Sequence, residues 1–258
     1  MRNLISLQFA IRRRLGEIIA PPQPESKRKK IHYYPQQPSC QIPDLWFLFE
    51  TYFGKRSQGI FVEVGAYDGV AVSNTWGLAK AGWAGWLVEP IPTFAQACRH
   101  HHADHLNVEV VEVAIGAEDD VQIQLKLAGT LTTSNVELFD AYKKIDWAES
   151  ELTETIVNVR SRTLNSLLVE KMIPSKFDLL VVDVEGMEAS VFAGFDIYRW
   201  QPKMLIVELS DNHPDLQGVA KTDRSLYVSI LESGYRVVYK DSINTVFVSA
   251  EAWNSTNG

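Results

Sequence analysis

The chain has 258 residues, 46% hydrophobic and 22% charged, enough to bury one sizeable core and unlike a fibrous or disordered protein. The net charge is −7, but residues 1–30 hold eight basic residues against Glu17 and Glu25, a local +6 that leaves −13 for the rest. A body this acidic argues against nucleic acid as substrate. Its two cysteines, Cys40 and Cys98, match no metal or redox spacing and fit reduced thiols in a reducing compartment; the expected location is cytoplasmic.

In chain order, Leu4, Leu7, Ile11, Leu15 and Ile18 recur at helical spacing beside Arg12 to Arg14. This describes an amphipathic helix with a basic flank, suited to weak contact with an anionic membrane surface or to docking on its own domain. Gln8 and the arginines interrupt any signal-peptide core, and no later stretch is long enough to span a bilayer. Ala20 to Pro24 and Pro35 to Pro43 break regular structure. Residues 1–43 therefore read as a basic, proline-containing leader and linker, and residues 44–258 as the main domain.

From Asp44 the pattern predicts a helix over Leu45 to Phe53, a strand over Ile60 to Val64, a helix over Ser73 to Ala81 and a strand over Gly85 to Glu89. A helix over Thr93 to His102 and strands over Val108 to Val113 and Val121 to Leu127 follow. Beyond the polar segment Gly129 to Thr155, strands over Asp178 to Asp183 and Met204 to Leu209 bracket a helix over Glu188 to Phe195. Tyr235 to Lys240 and Thr245 to Ser249 have the spacing of an antiparallel hairpin. Strands alternating with helices predict an α/β fold, a mostly parallel sheet with helices on both faces.

Such a sheet binds its ligand outside the carboxyl ends of its strands. That places Gly65 to Gly69, Glu89, Asp183 to Gly186 and Glu208 to His213 on one rim. The turn Gly65-Ala66-Tyr67-Asp68-Gly69 is not GxGxxG, and Asp68 stands where a pyrophosphate would sit; the two repel by several kcal/mol at contact. Asp68 thus disfavours a nicotinamide oxidoreductase. The turn suits a ligand without phosphates, such as S-adenosylmethionine, whose ammonium Glu63 or Asp68 could receive while Gly65 and Gly69 let the backbone come close. Glu89, followed by Pro90, ends the second strand where a carboxylate accepts from both ribose hydroxyls of an adenosine.

The segments FVEVGAYDGVAVSNT, GWAGWLVEPIP, NVEVVEVAIG, FDLLVVDVEGMEASVFAGF and PKMLIVEL, in order from Gly59 to Leu209, resemble the FkbM family of S-adenosylmethionine-dependent methyltransferases. The resemblance implies a Rossmann-like class I fold with seven strands, the last antiparallel. It places Glu63, Gly65 and Asp68 in the glycine motif, Glu89 in the ribose motif, and Asp183, Glu185 and Gly186 in an Asp-x-Glu-Gly stretch. It also implies O-methylation of a hydroxyl on a sugar, glycosylated metabolite or other small natural-product-like acceptor. The contrasting expectation is a catalytically inactive cofactor-binding interaction module.

Methyl transfer to oxygen needs an in-line acceptor and a base for its proton. Asp183 and His213, each after a strand, are the candidate bases, with a helix cap and a surface loop as their alternatives. Glu188 is explained by the helix dipole alone. Asp183 with Asp211 and Asn212 would make an all-oxygen magnesium set, a divalent metal being possible but not favoured. In CRHHHADH, Cys98 with His102 and His101 with His105 share helix faces, although a solvated or satisfied helix end is the expected reading. Gly129 to Thr155 is expected to form a lid or substrate loop, with Thr132, Thr133 and Ser134 offering hydroxyls.

Overall fold

The structure is a computed structural model and describes residues 32–146, 148–153, 155–216 and 221–257. The amphipathic helix expected in the leader lies outside the described residues.

Short, almost wholly apolar runs become strands buried on both faces. These are β1 (Ile60–Val64), β7 (Leu179–Val182) and β8 (Met204–Glu208) at the centre, a parallel-sheet signature. With β2 (Ala84–Val88), β3 (Val108–Val111), β9 (Tyr235–Lys240) and β10 (Asn244–Ser249) they form a seven-stranded sheet of order β3-β2-β1-β7-β8-β10-β9. Only β10 runs antiparallel to its neighbours, pairing with β8 and β9. The predicted class I architecture and its terminal hairpin are present.

Side-chain alternation divides the core. Val62, Val64, Leu180, Val182, Leu205 and Val207 face one layer, built from α5 (Leu164–Glu170), α6 (Glu188–Ala193) and α8 (Lys221–Glu232). Phe61, Leu179, Val181, Met204 and Ile206 face the other. There α1 (Leu45–Phe53), α2 (Trp76–Lys80) and α3 (Pro92–His101) pack. Burial of a side chain such as Phe49 contributes about 1.5–3 kcal/mol. The segment read as linker also enters this layer: Tyr34, Cys40 and Ile42 are buried in it, and the Tyr34 hydroxyl donates to the Gly54 carbonyl at 2.6 Å. The folded body therefore starts before Asp44. Below the sheet, buried Asp178 accepts from Arg56, Lys203 and the Ile60 N–H at 2.6, 2.8 and 3.0 Å.

Above the opposite end, a second sheet of order β4-β6-β5 is made by β4 (Ala114–Ile115), β5 (Gln122–Lys126) and β6 (Ile156–Arg162). Neither β6 nor α5 was expected. Only one residue of β6 is buried, so its sequence lacks the apolar run that marks the central strands. The polar segment expected to be irregular contains α4 (Val136–Tyr142) and a small core of its own around Leu131, Leu138, Phe139 and Tyr142. The remaining helices are α7 (Ile197–Trp200) and α9 (Ala250–Asn257). Among the described residues no helix is long and apolar enough to cross a membrane.

Candidate active site

A cleft of about 700 Å³, counting its open mouth, lies at the carboxyl ends of β1, β2 and β7 beneath the second sheet. Four of the residues expected at the cofactor or reacting centre line it together: Gly65, Glu89, Pro90 and Asp183. Leaving β1, the chain bends at Gly65 (φ 90°), and the Gly65 and Ala66 N–H groups donate to the Val88 carbonyl at 3.0 and 3.1 Å. The first loop is thus tied to the end of β2. Glu89 is the second tie, accepting from the Tyr67 and Ile91 N–H groups at 2.9 and 2.8 Å. Its carboxylate keeps further lone pairs for a ligand, and burial pushes its pKa up to about 7.

Asp183 is half-buried and its carboxylate makes no hydrogen bond to a described residue. Its own N–H donates to the Val64 carbonyl at 3.0 Å. Glu185 follows in left-handed backbone (φ 51°), and Tyr142 of α4 donates to its carboxylate at 2.6 Å. Asp183, Glu185 and Glu208 each bring one oxygen to within 4.8 Å of the others, a set that could hold a cation. The magnesium set read from the sequence does not form: buried Asp211 accepts from Lys240 at 2.6 Å, with Arg224 at 3.7 Å, and the Asn212 side chain is outside those described.

The other expected residues do not line the cleft. Glu63 projects from β1 toward the opposite layer and accepts from Thr75 Oγ1 at 2.6 Å, the Asn74 N–H at 3.3 Å and Ser73 Oγ at 3.4 Å. Burial raises its pKa to about 7. Asp68 caps its own turn through the Val70 and Ala71 N–H groups at 2.9 and 2.7 Å. Ala66 is buried under the loop. Gly69 lies behind it, against Cys98 and His102. His213 is buried, and its Nδ1 accepts from the Asp215 N–H at 3.2 Å. Glu188, expected to be explained by the helix dipole alone, instead holds the Val184 and Gly186 N–H groups at 3.0 and 3.2 Å, and burial raises its pKa well above the ordinary carboxylate value.

Sequence reasoning missed an aromatic wall. Tyr67 (φ 51°) and Phe94 line the cleft with ring centroids 4.5 Å apart; an aromatic inside a glycine turn was the available signal. Ile123 and Leu125 of β5, with Thr130, Thr132 and Ser134, form the roof, so the segment does cover the site. Thr133 instead donates to the Glu185 carbonyl at 2.6 Å. A second cavity of about 350 Å³ adjoins at Glu185 and is walled by Glu188, Glu208 and Asp223.

These residues fit S-adenosylmethionine. The carboxylates facing the cleft suit a positively charged ligand, and Tyr67 with Phe94 gives an aromatic wall for its adenine. The family described as the Methyltransferase FkbM domain matches residues 63–237, more than half of the chain. No curated protein sequence matches significantly. Among solved structures, the chain is similar to the Podospora anserina methyltransferase PaMTH1 bound to S-adenosylhomocysteine, with 11% identity over 95% of this chain and 87% of that one and a TM-score of 0.45. It is also similar to the Streptomyces achromogenes O-methyltransferase TomG, with 13% identity over 78% and 76% and a TM-score of 0.40. A third is a Geobacter sulfurreducens methyltransferase, with 13% identity over 80% and 75% and a TM-score of 0.39.

Proposed function

The chain belongs to the FkbM family of methyltransferases, and from that premise we propose that it methylates a hydroxyl of an uncharged, polyhydroxylated small molecule, a sugar or glycosylated metabolite. The observation that carries this reading is the acidic, cation-free lining of the cleft. Glu89, Asp183 and Glu185 line it, Glu188, Glu208 and Asp223 line the cavity beside it, and no Lys, Arg or His is among the described residues of either wall. A phosphorylated or carboxylated acceptor would find no cation to pair with among those residues. It would meet like charge wherever a lining carboxyl is ionised, at about 4 kcal/mol per contact at 4 Å and an effective dielectric of 20. Burial raises the pKa of Glu89, Glu188 and Asp223, so these three carry the least of that charge. Carboxylates pair instead with hydroxyls, each of which donates one hydrogen bond.

S-adenosylmethionine, when bound, supplies a methyl group on a positively charged sulfur. Glu89 would hold the ribose hydroxyls, and Tyr67 with Phe94 offers a flat apolar wall. Asp183, with its free lone pairs, is the group we assign to take the acceptor's proton as the new oxygen–carbon bond forms. His213 has no such access, being absent from the cleft wall. Glu185 is steadied by Tyr142 and orients acceptor hydroxyls.

The test is S-adenosylhomocysteine production from S-adenosylmethionine with neutral sugars and glycosides, amino sugars and sugar phosphates. Turnover confined to neutral acceptors is expected. Preference for phosphorylated ones would reject the charge argument, and cofactor binding without any turnover would favour the interaction module.

A further inference from the structure

Four of the chain's six histidines fall in the run from Arg99 to His105 at the end of α3. Two of them close on the glycine loop from behind. Buried His102 places Nε2 2.8 Å from the Gly69 carbonyl oxygen, and His101 places Nδ1 2.8 Å from the Asp68 carbonyl oxygen. A carbonyl oxygen only accepts, so His102 must carry its proton on Nε2 and His101 on Nδ1. In neutral His102 this leaves Nδ1 as an acceptor, and it faces His105 Nδ1 at 2.9 Å. His105 must then be the Nδ1–H tautomer. Its buried Nε2 has no hydrogen-bond partner among the described residues. There the relay ends on a bare lone pair, which burial tolerates better than an orphaned N–H.

The surroundings agree with a neutral pair. Burial lowers the pKa of both rings. For His102 the hydrogen bond to the Gly69 carbonyl and then Asp68 oppose it while His101 and Lys80 of α2 add to it; for His105 the neighbouring His102 and Lys80 add to it against Asp104. From the cleft side the loop is held by Glu89, at the end of β2, on the Tyr67 N–H, and by Phe94 of α3 on the Tyr67 ring. Gly69 makes the rear grip possible: a Cβ there would stand 2.8 Å from His102 Nε2 and 2.7 Å from Cys98 Sγ.

We propose that His102, held in one tautomer by His105, is a positioning residue for the cofactor: its Nε2–H fixes Gly69 and so sets where Gly65 and Tyr67 face the cleft. This rests on the cleft being the S-adenosylmethionine site. The histidine run, read from sequence as a solvated or satisfied helix end, thereby acquires a part in ligand binding without touching ligand.

Calorimetric titration of the full chain with S-adenosylhomocysteine tests it. His102→Leu is expected to weaken binding about tenfold and to raise KM for S-adenosylmethionine with kcat unchanged. His102→Gln, whose amide can reach the same carbonyl, should return to within about threefold of wild type. His102→Leu binding within about twofold of wild type, or a Gln variant no better than Leu, would overturn the proposal. If His102→Leu does not fold, His105→Leu and His105→Asn give the same comparison one step back, with Asn expected to restore what Leu loses. Nitrogen-15 spectra of the free protein supply a ligand-independent check. His102 as Nε2–H and His105 as Nδ1–H are expected near neutral pH, and the opposite tautomers or a charged pair would overturn the relay. A wild-type protein that binds no S-adenosylhomocysteine, yet shows these tautomers, would overturn the cofactor reading and leave the loop support purely structural.

Discussion

The carbonyl oxygen of Asp183 occupies the space that a side chain on Gly65 would need. The two loops that carry the glycine turn and the proposed base thus cross in contact, with Gly65 in left-handed backbone (φ 90°). Gly65→Ala combines backbone strain with overlap on a main-chain atom that cannot swing away. We expect a loss of at least about 2 kcal/mol in urea unfolding, together with loss of S-adenosylhomocysteine binding. Retention of both would mean that the loops separate easily.

Glu89 should make cofactor affinity depend on pH. Burial raises its pKa to about 7 in the free protein, whereas an ionised carboxylate is the better acceptor for ribose hydroxyls. Binding therefore favours deprotonation, and affinity should rise with pH through that value. Titrations at pH 6 and pH 8 should differ by about tenfold, and Glu89→Gln should bind more weakly with that dependence removed.

Glu63 should leave its mark on stability. Its folded pKa of about 7 exceeds the ordinary 4.5, so the native state holds the proton more tightly than the unfolded chain. The resulting stability is fully present below the unfolded pKa and is lost as pH rises through about 7. Glu63→Gln keeps the shape and removes this slope, which has an upper bound of about 3 kcal/mol. Urea unfolding at pH 5 and pH 8 reads the difference, and wild-type and variant profiles of equal slope would reject the shift.

Asp183→Asn separates chemistry from binding. As the proton acceptor, Asp183 should cost about 100-fold or more in kcat when neutralised, with S-adenosylhomocysteine affinity within about threefold of wild type. Equal losses in both would reduce it to a binding residue.

The parts of the site that were legible are those set by position along a strand. Gly65, Glu89 and Asp183 follow apolar runs, and in a parallel sheet every such position reaches the same rim. Glu63 and Asp68 were readable as acidic but not as to where they point. Glu63 sits between Val62 and Val64, whose side chains face the other layer, so the pleat carries it to Thr75 and away from the cleft. Asp68 is captured by N–H groups two and three residues on, an Asx-type turn that competes with ligand binding.

By itself, the sequence determined the strand–helix order, the single rim and the acidic character of the ligand site, because these follow from local periodicity and from glycine and carboxylate chemistry. Only the tertiary structure decided which carboxylates face the cleft, that Lys240 withdraws Asp211, that β4-β6-β5 forms the roof, and that Tyr34, Cys40 and Ile42 belong to the core. Each of these depends on partners distant in sequence, and no local period encodes a contact between residues that meet only when the chain closes on itself.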